Sequence, residues 1–329
     1  MVRYYAKTAG KLEELDQPQP GCWVNISPPY NLEELEEAAI QLEVPLDFIT
    51  DSLDVDERSR YETEDEVRLI LVSSAVVNEA EDEDDALYKT VPIGIILTPE
   101  VIITVTSMVN PMLQRFLDNK VKNFDPANES QFILQIMEQN VYRFLSFLKK
   151  LDLQRNLIEQ ELYHSSRNRE LKRLLSIEKS LVYFVNSLSA NDLLKMKMKR
   201  TDFLCIRDDE EKMDLFEDII IDNGQALEMA NVYSNILSGT MDTYASIISN
   251  NMNVTIHRLT MVTIFIAVPT FITSFFGMNV PIPFSENRFA ILFILLISAL
   301  ISFLIVWYFQ RKRMFCVGRF RVEWPVFRP

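Results

Sequence analysis

Histidine is almost missing from this chain: His164 and His257 are its only two in 329 residues. Neither has a second ligand near it in sequence, so no transition-metal site or histidine-based acid–base chemistry is expected. Cys22, Cys205 and Cys316 are odd in number, widely separated and without metal-type spacing. That excludes a disulfide framework or a zinc ribbon and fits free thiols in a reducing compartment. Glycine is also scarce, seven in all, and no Gly-rich phosphate loop is present. The acidic pairs have no accompanying nucleophile, so nothing reads as an enzyme. Residues 1–5 contain no apolar core of a cleavable leader, and none is expected.

Positive charge is short where the chain is longest. The net charge is −14, but the first 250 residues carry −20, while eight Lys/Arg against Glu286 and Glu323 make the remainder +6. Such an acidic body repels nucleic acid, which seeks Lys and Arg, and attracts cations. Charge is absent altogether from 289–309, and from 256–276 but for Arg258. About 20 apolar residues match the hydrocarbon thickness of a bilayer, so these two runs read as a transmembrane hairpin. Pro281, Pro283 and Asn287 punctuate the short connection between them. Arg311-Lys312-Arg313 directly follows the second run and, by the positive-inside rule, predicts a cytoplasmic C-terminus. Two spans then place the N-terminal body in the cytoplasm too, with a plasma (inner) membrane location and only the short loop outside.

Residues 1–125 read as a cytosolic α/β domain. Trp23-Val24-Asn25-Ile26 alternates like a strand, and 67–72, 93–97 and 101–105 are short aliphatic runs with turn residues between them. Asn31 is placed to cap a helix whose first turn carries Glu33 and Glu34. The acidic run 79–85 reads as a solvated loop. From about Glu129 the apolar residues recur at three and four, predicting a helical hairpin over 126–208 that restarts near Asn168. A third helix begins near Asp209 or Glu210 and meets no proline before Pro269. Read as a stalk over 209–254 that continues into a membrane hairpin over 255–311, it predicts one helix about 100 Å long at 1.5 Å per residue. A basic tail, 312–329, has no assigned role.

A hairpin of two helices cannot enclose a polar path, so conduction requires an oligomer built around the first span. Polar residues along that helix favour conduction over a plain anchor. Asp242, Ser249, Asn253, Thr263, Thr270 and Ser274 follow one another at steps of seven, four, ten, seven and four. Ile256, Leu259 and Ala267 fill the gaps on the same face. Within a membrane such a stripe is a helix–helix seam, a water-filled path, or both.

These residues resemble a known family. Gly277-Met278-Asn279, closing the first of two C-terminal spans and preceding a short loop and a second span that ends in Arg/Lys, is similar to the signature of the CorA magnesium channels. The similarity extends through Asn253, Leu259-Thr260, Thr270-Phe271-Ile272, Leu237-Ser238-Gly239 and Asp242-Thr243-Tyr244. It also reaches Trp23-Val24-Asn25-Ile26, Pro45-Leu46, Asp51 and Arg58 in the body. The resemblance implies a funnel-shaped homopentamer: an α+β cytosolic domain plus an all-α membrane part, with the long stalk helix entering the bilayer as the pore wall. It implies passive influx of Mg2+, with Co2+ or Ni2+ as further cargo. Gly277, Met278 and Asn279 would form the selectivity filter. Mg2+ dehydrates reluctantly, and a ring of amide and carbonyl oxygens suits its hydrated form. Asp242, Asn253 and Thr270 would supply polar rings, and Ile256 and Leu259 an apolar constriction that gates by dewetting.

The resemblance further implies a regulatory intersubunit Mg2+ clamp at Asp51 and Asp218, with Asp214 and Asp222 as additional candidate ligands. Several positions depart from the family pattern. Phe276 stands where Tyr is usual, Pro269 is one place late, Ala267 is small, and the loop 280–287 differs, with Glu286 as the candidate external acid. A zinc-transporting branch of the same superfamily is one alternative. A membrane-anchored scaffold or signalling protein that uses the acidic body for partners is another.

Overall fold

The computed structural model describes residues 1–8, 10–79, 85–164, 168–277 and 290–311, and the chain divides into two compact units, Met1–Met241 and Asp242–Pro329. The division falls inside the predicted stalk.

The first unit is built on one seven-stranded sheet. Its strands are β1 (Val2–Thr8), β2 (Lys11–Leu15), β3 (Trp23–Ile26), β4 (Arg60–Glu64), β5 (Val67–Val77), β6 (Tyr88–Leu97) and β7 (Ile102–Thr106), in spatial order β2-β1-β3-β7-β6-β5-β4. All neighbours are antiparallel except β3 and β7, which run parallel. The central strands are buried on both faces, as expected of a sheet covered by helices on each side. Alternation then sends residues of one strand into two cores. Val24, Ile26, Leu69, Leu71, Ile96 and Ile103 pack against α1 (Leu32–Gln41) and α2 (Leu46–Asp51). Trp23, Ile70, Val72, Ile93 and Ile95 point the other way. There they meet α3 (Pro111–Leu117), α4 (Glu129–His164), α5 (Asn168–Thr201) and the start of α6 (Glu210–Phe276). Asn31 does cap α1, accepting from the Glu34 amide at 2.7 Å.

Trp23 is the centre of the larger core. It has no exposed surface and is ringed by Tyr5, Phe116, Phe124 and Phe132, with centroids between 5.2 and 6.3 Å away. Its indole N–H donates to Thr104 Oγ1 at 2.8 Å, and that hydroxyl donates on to Asn25 Oδ1 at 3.0 Å. The apolar ring and the satisfied N–H both favour the tryptophan here.

The α-helical layer is tied to the sheet by a substitute for a missing strand. β4 stops at Arg60, opposite Leu71, so β5 has no strand neighbour on that side at Ser73. Asn191 of α5 fills the gap: its Oδ1 accepts from the Ser73 amide at 3.0 Å and its Nδ2 donates to the Ser73 carbonyl at 2.8 Å. Asn140 of α4 donates to the same carbonyl at 2.9 Å. A carboxamide carries the donor and acceptor of a peptide group, so one side chain replaces one rung of ladder.

Helices α4 and α5 lie where the periodicity places them. The strand expected at 67–72 runs on to Val77. Of the acidic run at 79–85, residues 80–84 lie outside the described residues. In the second unit, α6 continues to Phe276 and α7 spans Ala290–Arg311. By length and composition α6 can cross a bilayer, while the apolar stretch found in α7, Leu295–Tyr308, is shorter. The whole of α7, 22 residues, is about 33 Å long. Pro269 sits inside α6 without ending it.

Candidate functional site

Every member of the predicted stripe on α6 is exposed: Asp242, Ser249, Asn253, Ile256, Leu259, Thr263, Ala267, Thr270 and Ser274. At 3.6 residues per turn they fall within an arc of about 120°. A second set, Val254, His257, Met261, Ile264, Val268, Ile272 and Phe276, is partly covered and runs along a different face of the helix. The stripe is thus one part of a wider surface of α6 left exposed among the described residues, which also carries Val262, Phe265, Ile266, Phe271 and Phe275. Its apolar members are well exposed, Leu259 at 66% and Ile256 at 52%.

The hydroxyls on this helix have a defined polarity. Thr263 donates to the Leu259 carbonyl at 2.9 Å and Thr270 to the Ile266 carbonyl at 2.8 Å. Each hydroxyl has one proton, and here the helix backbone takes it. What remains on each of these oxygens is its lone pairs, so the hydroxyls are left as acceptors. Thr273 likewise donates to the Pro269 carbonyl at 2.9 Å.

Gly277 closes α6, its amide bonded to the carbonyls of Thr273 at 3.0 Å and Ser274 at 3.2 Å. Among the described residues, a Cβ there would meet those two oxygens, at 3.4 and 3.5 Å. Met278, Asn279 and Glu286 lie outside the described residues.

In the body, Asp51 ends α2 and is bonded by Arg60 of β4, Nη2 to Oδ2 at 2.7 Å. The same guanidinium reaches Glu57 and, at 3.5 Å, Glu62. Partial burial works against the charge of Arg60, but Glu57, Asp51 and Glu62 outweigh it and hold its pKa above the usual value. The position of Asp51 is set from below. The next residue, Ser52, is fully buried, donates to the Phe48 carbonyl at 2.6 Å, and lies against Gly94 of β6. A Cβ on Gly94 would fall 1.8 Å from Ser52 Oγ, so only glycine lets α2 approach this closely.

Asp218 is on α6, exposed, one residue before the buried Ile219. Phe216 and Ile219 belong to the core on the opposite side of the sheet from α2, so the fold does not bring Asp51 and Asp218 together within one chain. Asp214 is exposed and Asp222 partly buried. Negative potential does gather on this part of α6. The phenol of Tyr142 on α4 is held above its usual pKa by Glu138 first, then by burial, Asp222 and Asp218. Among the described residues, no three His, Cys, Asp or Glu side chains converge on a metal position. The groups are hard carboxylates of the kind Mg2+ takes, and a single chain does not bring Asp51 and Asp218 together.

A family model described as "CorA-like Mg2+ transporter protein" matches residues 19–312. The chain belongs to this family. Among its relatives is the cobalt/magnesium transport protein CorA of Methanocaldococcus jannaschii, 25% identical over 295 residues, which are 88% of this chain and 90% of that protein. The solved structure of the CorA magnesium transporter from the same organism matches with a TM-score of 0.77 at 23% identity, over 95% of this chain and 98% of that one. The ZntB cytoplasmic domain of Vibrio parahaemolyticus matches with a TM-score of 0.58 at 10% identity, over 75% of this chain and 97% of that one, a likeness of fold alone. The expected architecture, an α+β body with a long helix and a shorter C-terminal apolar helix, is the CorA architecture.

Sequence reasoning missed three features. Arg60, rather than any residue singled out beforehand, is the partner of Asp51. Glu138 and Tyr142 join the acidic part of α6 from another helix. Lys195 is buried against α6. Lys195 left a trace, because Leu181, Phe184, Leu188, Asn191, Lys195 and Met198 follow steps of three and four and all are buried. The helical phase pointed inward while the charge argued for solvent.

Proposed function

We propose that this CorA-family protein is a divalent-cation channel that admits Mg2+ passively across the plasma membrane, with Co2+ and Ni2+ as secondary cargo. The carrying observation is the stripe on α6. It is polar at intervals, apolar at Ile256 and Leu259, and left uncovered by the rest of its own chain. Copies of the chain arranged around this face, as a homopentamer, would surround a path with acceptor rings at Asp242, Asn253, Thr263 and Thr270. Gly277, Met278 and Asn279 would form the outer ring, with Asn279 as a neutral oxygen acceptor for the hydrated ion. Ile256 and Leu259 would close the path by excluding water. No chain of buried Lys or Asp runs through the apolar parts of α6 and α7 as a proton relay would need, which supports flow down the membrane potential. Both termini are assigned to the cytoplasm, so the acidic body meets intracellular Mg2+. There Asp51 of one copy and Asp218 of the next, aided by Asp214 and Asp222, would share an ion and hold the channel shut.

The test is Mg2+ flux into proteoliposomes holding the full chain. Asn279→Ala is expected to abolish uptake while the protein still assembles, and undiminished uptake would remove the filter assignment. Asp51→Ala combined with Asp218→Ala is expected to keep the channel open at internal Mg2+ concentrations that close the parent. Closure at the same concentration would refute the clamp.

A further inference from the structure

The most unusual group outside the conducting stripe is Lys195. Its residue has no exposed surface, and its Nζ donates to Asn223 Oδ1 on α6 at 2.7 Å. Asn223 is also fully buried and is locked in turn, its Nδ2 donating to the Leu188 carbonyl at 3.1 Å and to Asp192 Oδ1 at 3.3 Å. Lysine is rarely buried without a charged partner bonded to it, because an ammonium loses its hydration there. The ammonium has three protons to place and this seam offers one acceptor, whereas a neutral amine has two and fits better.

The surroundings of Lys195 are otherwise neutral. From α5 itself the one charge acting on it is Asp192, and from α6 the group facing it is the Asn223 carboxamide. Beneath α5, Ser73 of β5 and Ser59, just before β4, are both engaged with Asn191. The carboxylates of Asp218 and Asp222 act instead on Tyr142. Burial lowers the Lys195 pKa to about 7, with Asp192 opposing the fall.

We propose that Lys195 is a positioning residue operated by a proton. As a neutral amine it fastens α5 to α6 through Asn223, and on taking a proton it loosens that seam and makes cation flux respond to pH on the side of the body. The step is a plain protonation, water or hydronium giving H+ to the Nζ lone pair. Its reach follows from the chain: Asn223 adjoins Asp222, lies one turn beyond Asp218, and sits on the helix that bears the conducting stripe. The flux part of this inference rests on the proposed channel function, while the seam part does not.

The experiment uses the full-length protein in two arms. The first follows hydrogen exchange of the seam, residues 188–195 and 219–226, between pH 5.5 and 8.5, corrected for intrinsic rates. The parent is expected to exchange roughly tenfold faster below the midpoint than above it, with the transition near pH 7. Lys195→Met removes the titrating group and is expected to flatten the profile. Asp192→Asn removes the opposing charge, keeps an acceptor for Asn223, and is expected to move the midpoint to lower pH. The second arm measures Mg2+ flux in proteoliposomes over the same pH range on the body's side, and its pH dependence is expected to vanish in Lys195→Met. A parent seam profile that is flat, or one unchanged by both substitutions, overturns the proposal. If Lys195→Met fails to fold, the Asp192→Asn midpoint alone decides. A seam that titrates in a protein without any flux would defeat the channel reading and leave the proton-operated seam standing.

Discussion

Replacing Gly94 with alanine tests how the sheet positions Asp51. The added Cβ would lie 1.8 Å from Ser52 Oγ and 2.4 Å from Ser52 Cβ, against the 3.4 Å or more of ordinary contact. Moving the hydroxyl alone does not help, because Ser52 Cβ is itself too near. Helix α2 must therefore retreat from β6 by about 1 Å or more, and Ser52, fully buried, has no solvent to move into. Overpacking of this kind costs about 1–3 kcal/mol. For a body of this size each kcal/mol lowers the melting temperature by about 2–4 °C, so a fall of roughly 2–12 °C is expected. Asp51 rides on the same helix, and its 2.7 Å bond to Arg60 should lengthen. The assay is thermal unfolding of the purified protein, paired with a test of the proposed clamp, the dependence of flux on internal Mg2+. Ser52→Gly removes both clashing atoms and should recover most of the loss in the double variant, which isolates the contact as a double-mutant cycle. A Gly94→Ala protein as stable as the parent, or one that Ser52→Gly does not rescue, would refute the steric argument.

Three further outcomes follow from the structure. Asn191→Ala removes one of the two partners of the Ser73 amide, Ser59 Oγ staying at 3.1 Å, and one of the two on its carbonyl, and about 1–3 kcal/mol of stability should be lost in denaturant titration. Lys195 makes stability depend on pH with a definite sign. The unfolded chain keeps the lysine proton up to about 10.5 while the native state releases it at about 7, so the unfolded state binds more protons between those values. Stability should thus climb as pH rises from about 7 and be lowest below it, by a few kcal/mol at 1.36 kcal/mol per tenfold, a slope that Lys195→Met should erase in unfolding measured across pH 6–9. On the proposed channel reading, replacing Ile256 and Leu259 together with serine should let water persist at that level of the path and raise Mg2+ leak at high internal Mg2+. An unchanged closed state in flux assays would remove these two residues from the gate.

Long-period features were readable from the residues alone, because their causes are local. The start of α6 near Glu210, the hairpin of α4 and α5, the capping of α1 by Asn31 and the apolar lengths of the two candidate spans follow from periodicity, caps and composition. The central strands were visible as aliphatic runs for the same reason. The edge strands β2 and β4 were not, since Lys11, Glu13, Glu14, Glu62 and Glu64 dilute any apolar signal where one side faces water, and β1, paired on both sides, was missed as well. The short α2 and α3 were also missed, being too brief for a helical period to show.

The candidate site divides in the same way. The stripe from Asp242 to Ser274 is a matter of spacing along one helix, and the sequence by itself determined which residues share that face. Contacts between distant segments were decided only in three dimensions. The parallel pairing of β3 with β7, the 1.8 Å approach that forbids a side chain at Gly94 and the carboxamide standing in for a strand at Ser73 all join residues far apart in the chain. Lys195 shows the limit most clearly: its phase is a local fact, but whether a lysine at that phase meets water or the Asn223 side chain depends on where another helix comes to lie.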